Sequence, residues 1–321
     1  MLGLPDFREK SIVICFASDG QKVAFKNDNL VVKDENDKIV LQITCHRIFS
    51  LWIIGRTIVT SGLLERSKKF AFSVYLLSYS HRLYGLWSSS VEGNFLLRRK
   101  QYAYEGVDIA KHLVQNKIVN QSALLKKLRT KTVEIKEAIE KMNGYAKQVN
   151  EMQDLQDLLG IEGVASRLFF GHWYGDLGWR GRKPRTKIDA INALLDIGYT
   201  YLFNLVECML NLYGFDLYQG FYHRCFYQRK SLVCDIVEPF RCIVDRQVRK
   251  AYKLKQFQFE DFEERKGQYF LKIEKNKEYT RWLVQGLLEH KEAIFLYTQD
   301  FYRSFMKNRP ISEYPVFRLD G

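Results

Sequence analysis

The sequence predicts an α+β chain. An N-terminal β-sheet domain of sandwich-like character covers residues 1–95, and a larger all-α domain covers residues 96–321. Three observations predict this. Up to about residue 95 the apolar residues come in short Val/Ile/Phe/Tyr-rich runs broken by turn signals. From about Gln101 they recur three and four apart, the period of an amphipathic helix. The chain has only 5 prolines, two of them beyond Asn308, so long helices can persist between them.

In order, "SIVICFAS", "KVAFKN", "LVVKD", "KIVLQITC", "WIIGRTIVTS", "FSVYLLSYS" and "LYGLWSSS" read as strands. "SDGQ", "NDN" and "DENDK" separate several of them as turns, and "GLLERSKKF" reads as a helical turn or two. The boundary falls in "EGNFLLRRKQY", residues 92–102. Beyond it, "IAKHLVQNKIVNQSALLKKLRTKTVEIKEAIEKMNGYAKQV" carries the helical period over one long span. "KIDAINALLDIGYTYLFNLVECMLNLYG" reads as a second long helix and "EYTRWLVQGLLEHKEAIFLYTQDFYRSFM" as a third.

The 321 residues are 46% hydrophobic and 14% aromatic, enough for a sizeable core and two domains. The net charge of +13 implies a polyanionic partner. Nucleic acid is favoured over a membrane surface, because the basic residues are spread through folded-looking sequence. No run of about 18 apolar residues predicts a transmembrane helix, and "MLGLPDFREK" is too short and charged for a secretory signal. The 6 cysteines form no CxxC pair, which suits a reducing cytoplasm. Walker-A, GxSxG and HExxH patterns are missing, so nucleotide hydrolysis and two common hydrolase classes lose support.

Candidate chemistry concentrates in "GFYHRCFYQRKSLVCDIVEPFR", residues 220–241. Asp235 and Glu238 are three apart, so a helix capped near Ser231 puts both carboxylates on one face. The same spacing fits two solvated acids pairing with Arg241 or Lys230. Pro239 either kinks that helix or ends it. His223 is a structural histidine or, with the carboxylates, part of a mixed N/O site for a divalent metal. Cys225, Cys234 and Cys242 are spaced as no common zinc finger. Glu162, in "LLGIEGVASRLFF", lies between Gly160 and Gly163. Glycines there permit close approach of a ligand, or mark a loop-to-helix junction with Glu162 in the first turn. "GWRGRKPRTK" has five basic residues and no acid. It reads as a phosphate-contacting loop with Trp179 to stack a base, or as a solvated loop.

Together, "GIEGVASRLFF", "INALLDIGYTYL" and "GFYHRCFYQRKSLVCDIVEPFR" resemble, in order and spacing, three central motifs of the CRISPR-associated integrase. This is the larger of the two proteins that insert new spacers into CRISPR arrays. "IAKHLVQNKIVNQSALL" resembles that family's first long helix, and "GRTIVTSGLLERSKKFAFSVYLL" extends the likeness into the N-terminal sheet. The resemblance implies a divalent metal, Mg2+ or Mn2+, held by Glu162, His223 and Glu238, with Asp235 as an assisting acid. It implies DNA contacts from Arg180, Arg182, Lys183, Arg185 and Lys187, and from Arg224, Arg229, Lys230 and Arg241. Tyr199 and Asn192 would line the site. The sequence departs from the family pattern at Asp196, where a small residue is common, at Tyr222, and in "QITCHRI", which lacks a proline.

The implied reaction is transesterification. The 3′-hydroxyl of a short DNA duplex attacks a phosphodiester at the repeat boundary, and no ATP is required. The implied partners are prespacer duplex and CRISPR repeat DNA, a second copy of the chain, and the smaller spacer-acquisition Cas protein; no membrane partner is expected. A metal-dependent DNA nuclease using water, or a non-catalytic DNA-binding scaffold, would use the same residues.

Overall fold

A computed structural model of the chain describes residues 2–17, 20–88, 93–177, 179, 181–223 and 226–319. After a short helix α1 (Leu4–Arg8), each strand-like run forms a strand. These are β1 (Ser11–Phe16), β2 (Lys22–Lys26), β3 (Asn29–Lys33), β4 (Ile39–Thr44), β5 (Ile48–Ile54), β6 (Ser73–Leu77) and β7 (Leu83–Trp87). "GLLERSKKF" lies in helix α2 (Ser61–Phe70). The turn read in "NDN" joins β2 to β3, with Asn27 at φ 55°.

The strands form a three-stranded antiparallel sheet, β2-β3-β4, and a four-stranded sheet, β1-β5-β6-β7. The larger sheet is mixed: β5 runs parallel to β1 and β6, and only β7 is antiparallel. One of its faces meets the smaller sheet and α2 through Val13, Cys15, Leu51, Ile53, Leu30, Val32 and Leu63. This is the sandwich-like core. Its other face, with Trp52, Ile54, Tyr75 and Leu77, belongs to the core of the helices. Covered on both sides, β5 is buried at every position and reads as an unbroken apolar run.

The helices are α3 (Phe95–Tyr102), α4 (Asp108–Lys126), α5 (Val133–Gln148), α6 (Leu155–Trp173), α7 (Ala190–Asn211), α8 (Ser231–Val237), α9 (Arg241–Lys253), α10 (Asn276–Leu288) and α11 (Lys291–Met306). Two of the three long spans are therefore broken. The first divides into α4 and α5, where the Thr132 hydroxyl accepts from Ile135 N and opens a new helix. The last divides into α10 and α11 at Glu289 and His290, with the apolar period running on across the break. The region after residue 95 is also not purely helical. A hairpin, β8 (Phe262–Arg265) and β9 (Gln268–Leu271), turns at Lys266 and Gly267, both at positive φ.

Helix α7 is the axis of the helical core. Its length and hydropathy would suffice to cross a membrane, but 78% of its most apolar window is buried inside the fold. A Cβ at Gly198 would come within 2.5 Å of Val244 Cγ1, so that glycine lets α7 and α9 approach closely.

Candidate active site

Helices, loops and the joint between α8 and α9 place charged side chains around one cavity of about 1300 Å3. Its walls include Glu162, Lys117, His223, Glu238, Tyr199 and Asp245, together with Arg167, Arg182, Arg185, Lys187 and Arg241.

Asp235 is fully buried and lies outside the cavity wall. Its carboxylate accepts the backbone N–H of Phe221 (2.5 Å), Tyr222 (2.9 Å) and His223 (2.9 Å). It also binds His223 Nδ1 at 2.7 Å. Four donors on two oxygens wrap the segment before His223 around helix α8 and fix the ring, leaving Nε2 as its other nitrogen. A Cβ on Gly220 would meet Asp235 Oδ2 at 2.7 Å, so this wrapping needs glycine there.

Pro239 neither ends the helix nor simply kinks it. Helix α8 passes into a 3₁₀ turn, Glu238–Phe240, and resumes as α9. The Glu238 N–H donates to the Asp235 carbonyl, so that carbonyl is not left free. At this joint Glu238 is buried, with Oε1 2.9 Å from Arg241 Nε and Oε2 2.7 Å from Lys117 Nζ. Both of its oxygens are thus paired with cations of the protein itself. Burial alone would raise the Glu238 carboxyl, but the charges of Arg241, Lys117 and His223 outweigh it and hold it at about 2.

Glu162 stands mid-helix on α6 rather than in a first turn. Its Oε1 accepts from Ser166 Oγ at 2.8 Å and pairs with the same Lys117 ammonium. Lys117 thus bridges two carboxylates brought together from α6 and from the α8–α9 joint. Burial works against its ammonium, but Glu238 and Glu162 outweigh it and keep its pKa above the ordinary lysine value. Tyr199 donates to Asp245 Oδ1 at 2.6 Å, with Arg182 and Arg241 over its ring. Burial raises the Asp245 carboxyl to about 7 against the opposing hydrogen bond from Tyr199.

The basic loop is more tied down than its composition suggests. Arg182 binds Asn192 Oδ1 (3.0 Å) and Asp196 Oδ1 (2.7 Å), and Asp196 also accepts from Arg185 N. Asn192 is fully buried, accepting from Lys183 N and donating to Gly181 O, so it holds the loop's backbone instead of lining the cavity. Lys187 lies over the Phe270 ring, on the hairpin that forms the cavity rim. Lys230 is paired with buried Glu207 at 2.5 Å, and Arg229 donates to Ser231 Oγ. Neither belongs to the cavity wall. Arg180 and Arg224 lie outside the described residues.

Three groups escaped the sequence reading: Lys117, Asp196 as an anchor, and Asp245. Lys117 left a signal, being a lysine at the apolar period of Leu113, Val114, Ile118 and Leu124 on α4. Asp196 stood out only as a departure from the family pattern, and Asp245 left no signal.

No three His, Cys, Asp or Glu groups already converge as a metal cluster among the described residues. The donor set nonetheless fits a divalent cation. Two carboxylates already share one cation, and an imidazole faces the same cavity. A cavity with such donors and cationic walls suits phosphoryl-transfer chemistry on a polyanion.

Residues 14–284 match the family described as "CRISPR associated protein Cas1". The chain is 32% identical over 246 residues to CRISPR-associated endonuclease Cas1 2 of Rhodospirillum rubrum, spanning 70% of this chain and 72% of that one. It superposes on a chain of a Cas6-RT-Cas1–Cas2 complex with a TM-score of 0.82 at 22% identity, covering 97% of this chain but only 36% of that longer one. It also superposes on a casposase bound to an integration product, with a TM-score of 0.78 at 18% identity over 97% of this chain and 96% of that one. The chain belongs to the Cas1 family of CRISPR-associated proteins.

Proposed function

We propose that this chain joins short DNA duplexes to a CRISPR repeat, with Glu162, His223 and Glu238 as the ligands of Mg2+ or Mn2+. The observation that carries this reading is the pairing of Glu162 and Glu238 across one cation, in a cavity that also holds His223 and a ring of arginines and lysines. Metal dependence is general in the family. When bound, the metal supplies positive charge to the attacking and leaving oxygens of an in-line displacement. Glu162 and Glu238 offer carboxylate oxygens and His223 offers Nε2. Asp235, with both oxygens engaged, orients the imidazole and is not itself a ligand. The bond formed joins the incoming 3′ oxygen to phosphorus, and the bond broken releases the 3′ oxygen of the target strand. One phosphodiester replaces another.

Arg182, Arg185, Lys187 and Arg241 face the cavity and would neutralise DNA phosphates without reading sequence. Lys183, outside the wall, would add to the approach field. The partners are prespacer and repeat DNA, a second copy of the chain, and the smaller spacer-acquisition Cas protein. The superposition on a Cas1–Cas2 assembly supports the last. Residues 1–95 act as the dimerisation scaffold and 96–321 as the catalytic unit. The free thiols of Cys15, Cys45, Cys208, Cys234 and Cys242 suit a cytoplasmic location.

The test incubates the protein with a 3′-hydroxyl duplex and a supercoiled repeat-bearing plasmid, with Mg2+, Mn2+ or chelator. A joined strand that needs metal is the expected product. Cut but unjoined plasmid would make the chain a hydrolytic nuclease. DNA binding with no covalent change under any metal would make it a scaffold.

A further inference from the structure

The Lys117 ammonium sits between the two carboxylates that the proposed function assigns to the metal. A buried ion pair of this kind is costly unless the geometry is good and the charges are needed. Here the stem of Lys117 is enclosed, and α4 is fastened to the same joint that carries Glu238. Asn120, one turn on, donates to the Pro239 carbonyl at 3.1 Å. The ammonium is therefore delivered to a fixed point, 2.7 Å from Glu238 Oε2 and paired with Glu162 Oε1.

We propose that Lys117 is an internal counter-cation: it holds Glu162 and Glu238 converged in the metal-free protein, and a divalent cation binding those carboxylates must displace it. This rests on the reading of Glu162 and Glu238 as metal ligands. Without a cation, the buried Glu238 and half-buried Glu162 carboxylates facing one another repel, so the site would splay or take up protons. With the lysine in place the donors stay in register, at the cost of competition. Two positive groups cannot share those oxygens at close range in a low-dielectric pocket without a strong penalty. The displaced ammonium has somewhere to go. Gln121 lies four residues on, on the same face of α4, and lines the same cavity. Its Oε1 is buried and unpartnered. The apparent metal affinity is then the intrinsic affinity reduced by the fraction of molecules in which the lysine has withdrawn.

The experiment titrates Mn2+ into the wild-type protein, Lys117→Met, Lys117→Gln and Glu162→Gln/Glu238→Gln, reading free Mn2+ by electron paramagnetic resonance and melting temperature with and without metal. The lysine variants are expected to melt lower than wild type without metal. They should also bind Mn2+ roughly tenfold tighter or more and gain more melting temperature from it. Lysine variants that bind Mn2+ no better than wild type would overturn the proposal. A Glu162→Gln/Glu238→Gln protein that binds Mn2+ as wild type does would instead overturn the ligand assignment beneath it. A measurement on the unaltered protein guards against variants that do not fold. Mass-spectrometric footprinting of Lys117 by reductive methylation should rise on adding Mn2+, and unchanged or lower labelling means the ammonium stays in place.

Discussion

The strand region and the helical region bury different kinds of side chain. Up to His81 the buried polar groups are Ser50, Ser67, Ser73 and a neutral-leaning histidine, whose pKa burial lowers to about 4. Every buried carboxylate and cation among the described residues lies beyond Tyr102: Lys117, Glu207, Asp235, Glu238, Asp245, Arg249 and Asp261. Apolar burial stabilises with little regard to direction. Buried charge is tolerated only where each group has a placed partner, and it fixes geometry instead of adding net stability. One half of the chain is thus organised for holding shape and the other for holding charges at set distances.

The comparison breaks most sharply at Glu238. Glu238→Gln keeps the volume and removes the charge, and strand transfer in the plasmid assay should fall to background while DNA binding persists. Activity near wild type would move the metal site elsewhere. Asp235→Asn replaces one acceptor oxygen by a donor facing backbone N–H groups. Joining should drop about 10–100-fold, the usual cost of losing a group that orients a ligand. The melting temperature should drop as well, since buried donors lose their acceptor. A dead Asp235→Asn beside an active Glu238→Gln would reverse the two roles.

On the other side, Leu51→Ala in the core between the two sheets should cost about 2–5 kcal/mol by denaturant midpoint. Joining activity per folded molecule should stay unchanged. A selective loss of catalysis would mean that the sheet does more than support.

A smaller effect tests the loop. Replacing Arg182, Lys183 and Arg185 by neutral residues should flatten the salt dependence of duplex binding by about two phosphate equivalents, because Arg182 is held by Asp196. A loss of three would mean that DNA draws Arg182 from its carboxylate, and no loss would remove the loop from the interface.

The smallest effect concerns pH. The Asp245 carboxyl lies at about 7 when folded, against 3.8 for the ordinary group. An acid whose pKa is raised by folding holds its proton better in the folded chain, so its contribution to stability declines as pH climbs from about 4 through 7. Asp245→Asn removes that titration, and the melting-temperature difference between pH 5 and pH 8 should shrink. An undiminished difference would place the titration on another group.

Local pattern by itself determined the seven N-terminal strands, the turn at Asn27, the helix start at Ser231 (though Lys230, with no side-chain cap, holds the N-cap position), and the change of period near residue 100. Each depends on neighbours within one turn or one hairpin, where side-chain period and turn chemistry act directly. The motifs also named Glu162, His223 and Glu238, which the fold brings to one cavity. What pattern could not supply was partnership between distant elements. The break between α10 and α11, the parallel pairing of β5 and the hairpin over Lys187 all depend on what packs against them. So does the sorting of the charges. Asp235 and Glu238 are three residues apart with the same local signature. One is turned inward to four donors from residues 221–223, and the other toward Lys117, 121 positions earlier in the chain. Which acid is a scaffold and which faces the cavity is set by which donors the tertiary fold delivers to each, because a buried carboxylate takes its role from the charges and N–H groups placed around it.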